Sequence, residues 1–332
     1  MKNGLARFEF FLNQLQLLLD KAGKQKNPAL WLYQNNIRTT LFMLEGLAKL
    51  YSGIHNEKKI GKIKEHFKLL EDVFGAVDYY DAFAKEFILA KKVPANIISY
   101  LQAQAREKIQ NANELLQEHK WLGADNRRMR KIRQKLNEVD WMKDEREVKA
   151  INGFYGTAIY EIVEFAKASK FKFTNVEADV HELRRKLRWL SIYPQAFRGC
   201  IQYSSKTNAP SKLLAKYLTK AITTSPYNVM PAAGDNAYFL LLEKNYFYAL
   251  SWMIAELGNI KDSGLCIIAV KEALMQTSTI TEALAYKSAY QIFGNKQPHI
   301  NILLNNAETI TKTYFGEHNL EHLVIGTAAV KQ

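Results

Sequence analysis

Apolar residues recur along this chain at intervals of three and four. Leu5, Phe8, Phe11, Leu15 and Leu18 mark a helix over about 4–22, since that spacing gathers side chains on one face of a 3.6-residue helix. Pro28 stands where a helix would begin, and the apolar run after it stops at Ser52-Gly53. Lys58 to about Lys92 forms a long run, with Gly75 the point where it could break and Pro94 its end. Further helices are expected over 95–122, 127–136 behind Asn126, 145–169, 176–203 with a kink at Pro194, and 211–222. A turn-rich stretch, 225–236, leads into a strongly apolar run from Ala237, and helices follow at about 279–293 and 298–315. No alternation of period two is evident. The tail from Gly316 falls outside the pattern and is expected to be partly disordered. The expected class is all-α, with long helices joined by short loops as antiparallel neighbours.

Composition agrees. Gly (16) and Pro (7) are sparse for 332 residues, which argues against many short strands and turns. The chain carries 46 Lys and Arg against 33 Asp and Glu, a net charge of +13, and such an excess draws polyanions without choosing among them. Two cysteines, Cys200 and Cys266, make neither a disulfide framework nor a zinc pattern. Arg7 and Glu9 interrupt any apolar leader, and no run approaches the ~18 uncharged residues of a membrane span. A cytoplasmic protein without membrane insertion is expected.

One stretch concentrates the cationic chemistry. In Val176-Glu-Ala-Asp-Val180-His-Glu-Leu183-Arg-Arg-Lys-Leu187-Arg-Trp-Leu190, His181, Arg184, Arg185 and Arg188 fall at i, i+3, i+4 and i+7. They share one helix face, while Val176, Val180, Leu183, Leu187 and Leu190 share another. Guanidiniums in register suit phosphate, because the planar fork donates to two oxygens at once. A solvated basic face is the plainer account of the same spacing.

Two segments echo each other. Leu70-Glu-Asp-Val-Phe74-Gly75-Ala-Val-Asp78-Tyr-Tyr-Asp81 is similar to Met253-Ile-Ala-Glu-Leu257-Gly258-Asn-Ile-Lys261-Asp262-Ser-Gly264, and each follows a helix carrying arginine, Arg38 or Arg184 to Arg188. This repeat, with the His181-x-x-Arg184 pattern, resembles the CHAD family of conserved-histidine α-helical domains. The resemblance spans about residues 27–315. It implies a single domain over 1–315 built from two pseudo-symmetric bundles, a first repeat at about 27–170 and a second at about 176–315, after the 4–22 helix and before a 316–332 tail. It also implies a basic cavity that binds inorganic polyphosphate without catalysis or cofactor. On this chain the implied ligands are His181, Arg184, Arg185, Arg188 and Lys261. Laying Arg38 on the position of Arg188 adds Arg38 from the first repeat. Trp189, Ser191 and Gly264 depart from the pattern, and Pro28, Trp31, Asn35 and Asn36 occupy first-repeat positions where His or basic residues are expected. The first repeat is therefore degenerate. An insertion, between Tyr203 and Asn236, lengthens the second.

Other clusters are weaker. Arg127, Arg128, Arg130, Lys131, Arg133 and Lys135 make a dense basic helix, of which Arg127, Arg130 and Lys131 are candidate rim residues, with Lys212 and Lys216 of the insertion. Alternatively that helix binds RNA or DNA phosphates. The aromatic pairs and triplets read as core. His318 and His322 have metal spacing only if their segment is helical, and no metal site is expected. No nucleotide-binding or hydrolase motif occurs, so an enzyme is not expected. A scaffold that kept the fold and lost the ligand is the other alternative. Lys312 and Lys331 lie outside every candidate cluster.

Overall fold

The computed structural model describes residues 2–123, 126–205, 209–294 and 298–329. Helix makes up 73% of the molecule, and the fold is all-α with a small sheet at one side. The helices are α1 (Asn3–Ala22), α2 (Pro28–Gln34), α3 (Ile37–Ile54), α4 (Glu57–Ala90), α5 (Ala95–Glu118), α6 (Arg127–Asn137), α7 (Asp144–Ala168), α8 (Glu182–Ala196), α9 (Lys212–Ala215), α10 (Lys220–Thr223), α11 (Lys244–Thr277), α12 (Glu282–Phe293) and α13 (Ile300–Gly316). A π-helical turn, Val176–His181, leads directly into α8.

The long helices run through the glycines that the sequence suggested as breaks. α4 continues past Gly75 and α3 past Gly53. The reason is tertiary. A Cβ on Gly53 would stand 2.8 Å from the Phe154 ring, so this glycine admits α7. A glycine in a helix costs about 1 kcal/mol against alanine, and close packing offsets that. α3 packs on α4 and α8, α4 on α5, and α11 on α8, α12 and α13. One core runs through α1–α8 and the first half of α11. A second joins Phe83 and Phe87 of α4, Ile97 and Leu101 of α5, Ile267 and Val270 of α11, and Ala289 of α12.

Three strands correct the expectation of helix or disorder at their positions. β1 (Ile201–Tyr203) pairs parallel with β2 (Tyr238–Leu242), and β2 pairs antiparallel with β3 (Val324–Ala329). The expected 176–203 helix therefore ends at Ala196, and the apolar run from Ala237 begins as a strand. β3 lies in the tail that was expected to be partly disordered; residues 330–332 of that tail lie outside the described residues. β1 has three residues and β2 is continuously apolar, so neither could show alternation. Ordering comes instead from ladder bonds that only the folded chain supplies.

The chain turns into β1 through Gly199, at φ +87°. A Cβ there would lie 2.0 Å from the Ala232 carbonyl oxygen. Gly199→Ala should destabilise the fold by at least about 1–3 kcal/mol, the cost of a side chain held in that backbone region. A urea titration measures it.

An ion pair ties the N-terminus into the core. Arg7 Nη1 donates to Glu147 Oε2 and to the Tyr51 hydroxyl, both at 2.6 Å, and Tyr51 donates onward to Glu147 Oε1 at 2.8 Å. All three are buried. Arg7 Nη2 also reaches Asn236 Oδ1 at 3.3 Å, so the cluster joins α1, α3, α7 and the end of the insertion.

Candidate anion-binding site

The repeat seen in the sequence corresponds to a repeated contact. Arg38 of α3 lies against Gly75 of α4, where a Cβ would stand 3.4 Å from Nη2. Arg184 of α8 lies against Gly258 of α11, where a Cβ would stand 3.0 Å from Nε. Each glycine makes room for a guanidinium. The equivalence sets Arg38 opposite Arg184, one helical turn from the sequence alignment that laid it on Arg188. Phe42 then stands opposite Arg188, and the Arg188 guanidinium sits over the Phe42 ring at 4.2 Å, with that of Arg38 at 5.3 Å. One ring thus receives two cations, each attracted by its π face.

The two halves treat their arginines differently. Arg38 Nε and Nη2 donate to Glu71 Oε1 at 3.0 and 2.6 Å, and Nη1 pairs with Asp78. Its donors are consumed within the protein. Arg184 Nε instead donates to the Ile254 carbonyl at 3.2 Å. The Arg188 guanidinium has no hydrogen bond or ion pair among the described residues. Burial, with Arg184 and Arg38 nearby, pushes its pKa down to about 10, against a lesser pull from Glu71. It remains charged at neutral pH. A half-buried cation beside two others, carrying no anion of its own, is a place where a phosphate oxygen would be favoured.

His181 and Lys261 form the other end of this region. Asn175 caps the π turn by accepting from the amides of Glu177 and Ala178. His181 Nδ1 lies 2.8 Å from Glu177 Oε1, and that contact, then the charges of His181, Lys261 and Arg185, lowers the carboxyl pKa of Glu177. Lys261 pairs with Asp262 at 2.6 Å. Gly264 has a physical reason: a Cβ would come within 2.8 Å of Val176, so the glycine lets the π turn rest on α11. Arg185 turns aside, exposed and paired with Glu182 at 2.7 Å. The structure brings together Arg38, Arg184 and Arg188, with Lys261 and His181 adjoining. It does not add Arg185 to them.

The expected rim residues lie elsewhere. α6 packs on α1 and on the His66 side of α4, where Arg128 Nη1 is 2.9 Å from His66 Nε2. His66 and Gly75 are separated by about two and a half helical turns, which puts them on opposite faces of α4. Arg127, Arg130 and Lys131 therefore belong to a second surface. Two hollows flank Arg128 and Lys131 there, one reaching Lys135 and His66 and the other Arg127, His119 and Lys120; Glu138 and Glu118 border them. Lys216, just past α9, pairs with Glu317 after the end of α13, and Lys212 is exposed at the start of α9. Within the insertion, residues 206–208 lie outside the described residues. His318 has φ +56° and is not in a helix with His322, so the metal spacing is not realised. Among the described residues no three His, Cys, Asp or Glu side chains gather as metal ligands.

Sequence reasoning missed two groups at the α3–α8 crossing. Glu45 is buried beside Glu71, and burial, then the Glu71 charge, raises its pKa to about 7. Lys49 lies 4.9 Å over Trp189; burial, and next the charges of Lys186 and Arg185 against the help of Glu45, lower its pKa to about 8. The Glu45-x-x-x-Lys49 spacing resembled a surface pair, and only Gly46, against Ile192 and Trp189, shows how closely the helices cross. Glu45 holds its proton more tightly folded than unfolded. Its contribution to stability is present below about pH 4.5 and is lost as pH rises through about 7. Glu45→Gln should thus raise the urea midpoint at pH 8 and leave it nearly unchanged at pH 4.

No helix of the described residues is long and apolar enough to cross a membrane. Comparisons with protein-family models, with curated proteins and with solved structures each give no match to this chain.

Proposed function

We propose that this protein binds a phosphate-rich polyanion, inorganic polyphosphate first, between α3, α8 and α11, and does so without catalysis. Arg188 carries the reading: a half-buried guanidinium beside Arg184 and Arg38 whose donors meet no acceptor among the described residues. Arg184 and Lys261 would hold adjoining phosphates, while His181 would contribute when protonated. The resemblance of the His181–Arg188 stretch to polyphosphate-binding helical domains supports the same ligand class.

Calorimetric titration with inorganic polyphosphate at two salt concentrations tests this. Binding at low salt that weakens steeply as salt is added is expected, because neutralised phosphates release counterions. No binding at low salt would remove the ligand and leave the fold. Lys312→Ala is the control, since Lys312 pairs with Glu308 on α13; Lys331 lies outside the described residues.

One observation favours a second reading. Glu71 and Asp78 occupy the donors of Arg38, so the first half of the site is closed by the protein's own carboxylates. A scaffold that retained the helices and replaced the ligand by internal ion pairs would look like this half. Arg38→Ala separates the two: a scaffold loses stability and nothing else, whereas a ligand site with Arg38 at its edge loses affinity as well.

A further inference from the structure

We infer that α6 is a second, separate phosphate-binding surface, and that its partner is the phosphodiester backbone of a nucleic acid duplex. The helix carries six cations in eleven residues and no carboxylate. Its apolar side, Met129, Ile132 and Leu136, is wholly buried, so α6 is fixed in place. The opposite side presents Arg127, Lys131 and Lys135 at four-residue intervals, with Arg130 beside them.

None of these four makes an ion pair or side-chain hydrogen bond among the described residues. Some exposed lysines elsewhere find a carboxylate, Lys68 with Asp72, Lys149 with Glu145 and Lys85 with Asp81, and others such as Lys24, Lys58 and Lys62 find none among the described residues. What sets α6 apart is the density of its cations on one helix. Of these cations only Arg133, on the inner edge, meets a carboxylate among the described residues, Glu9 at 3.0 Å. Arg128 is held by neutral acceptors, the His119 carbonyl at 2.9 Å and His66. The uncompensated charge is felt locally. Burial, then Arg128, Lys135 and His119, keeps the His66 imidazole neutral, with its pKa down to about 4.

The form of the surface selects the partner. Cations four residues apart are separated by about 6 Å along the helix, a spacing that suits successive nucleotide phosphates better than the closely linked phosphates of a polyphosphate chain. No Phe, Tyr or Trp lines the two hollows, so unpaired bases would find only the small imidazoles of His66 and His119, one in each, to stack on. A membrane surface is disfavoured because the apolar face is already buried and has nothing to insert. A duplex backbone is met by cations exposed along a fixed helix face, and α6 exposes Arg127, Arg130 and Lys131 in that way. Contacts of this kind position without reading sequence.

The test is fluorescence anisotropy of the full chain with a labelled duplex, repeated over a salt series. Arg127→Glu with Lys131→Glu should weaken duplex binding tenfold or more and flatten the slope of log K against log salt by about 2, since two phosphate contacts are lost. Arg184→Ala with Arg188→Ala, on another face, should leave duplex binding within about twofold. Thermal melts check folding; should the charge reversal unfold the chain, Arg127→Gln with Lys131→Gln should show the same flattening and a smaller loss. Equal duplex binding by wild type and the α6 variants overturns the inference, as does no binding by wild type at low salt. An α6 variant that loses polyphosphate as fully as duplex makes this a general polyanion face and overturns the nucleic-acid assignment.

Discussion

Replacing Arg184 and Arg188 together by alanine should lower polyphosphate affinity by on the order of 100-fold. Each charge-assisted hydrogen bond to phosphate contributes roughly 1.5–3 kcal/mol, and about 1.4 kcal/mol is a factor of ten. Losing one good contact from each arginine is enough to reach that figure. Lysine cannot restore it, because an ammonium is a point charge without the planar fork. Stability should change little, the lost Arg184 bond to the Ile254 carbonyl offsetting the relief at Arg188. Arg188 is held by the Phe42 ring and repelled by Arg184 and Arg38, so its removal relieves crowding between like charges. A double variant that melts like wild type and no longer titrates with polyphosphate supports the reading. One that melts like wild type and binds equally well removes these arginines from any site.

Arg7→Ala should destabilise the fold by about 3–5 kcal/mol, the range for taking one partner from a buried ion pair. The arginine is almost fully enclosed, with side-chain exposures of 5% for Arg7 and 2% for Glu147. Its loss would leave a carboxylate in the core with only the Tyr51 hydroxyl. Burial raises that hydroxyl well above its usual range, so Tyr51 stays a donor and cannot replace the lost charge. Arg7 also stacks on Phe197 at 5.2 Å, and the vacated space adds to the cost. Pairing Arg7→Met with Glu147→Leu tests the mechanism. If the uncompensated charge dominates, the apolar pair should recover most of the stability, because no buried ion is left, the remaining cost being the Tyr51 hydroxyl that loses both partners. Chemical denaturation of the three proteins gives the comparison.

The helices were legible in the sequence because each buries its own apolar stripe, and a stripe of period 3.6 is local information. Leu183, Leu187 and Leu190 show this for α8, and all three are buried as their spacing implies. The cations of that helix were legible only as a list. Spacing put His181, Arg184, Arg185 and Arg188 on one face, but whether a guanidinium is free depends on carboxylates far along the chain. Glu71 and Asp78, 33 and 40 residues on, occupy Arg38, and no acceptor among the described residues meets Arg188; only the pairing of Arg185 with Glu182 is local. The glycines taught the same lesson. Gly75 and Gly258 looked like turns, yet both lie inside unbroken helices, because an arginine from another helix needs the room that a side chain would fill. The strands were hidden for a related reason: β1, β2 and β3 are joined by hydrogen bonds between segments far apart in sequence, and a short apolar strand has no period of its own. The sequence by itself determined the helical class, the positive charge and the buried stripe of each long helix, all properties of neighbouring residues. The tertiary structure alone decided which distant charges pair, that α6 stands apart from α8, and that Glu45 is buried and Lys49 half-buried, since each of these follows from which distant segments pack together.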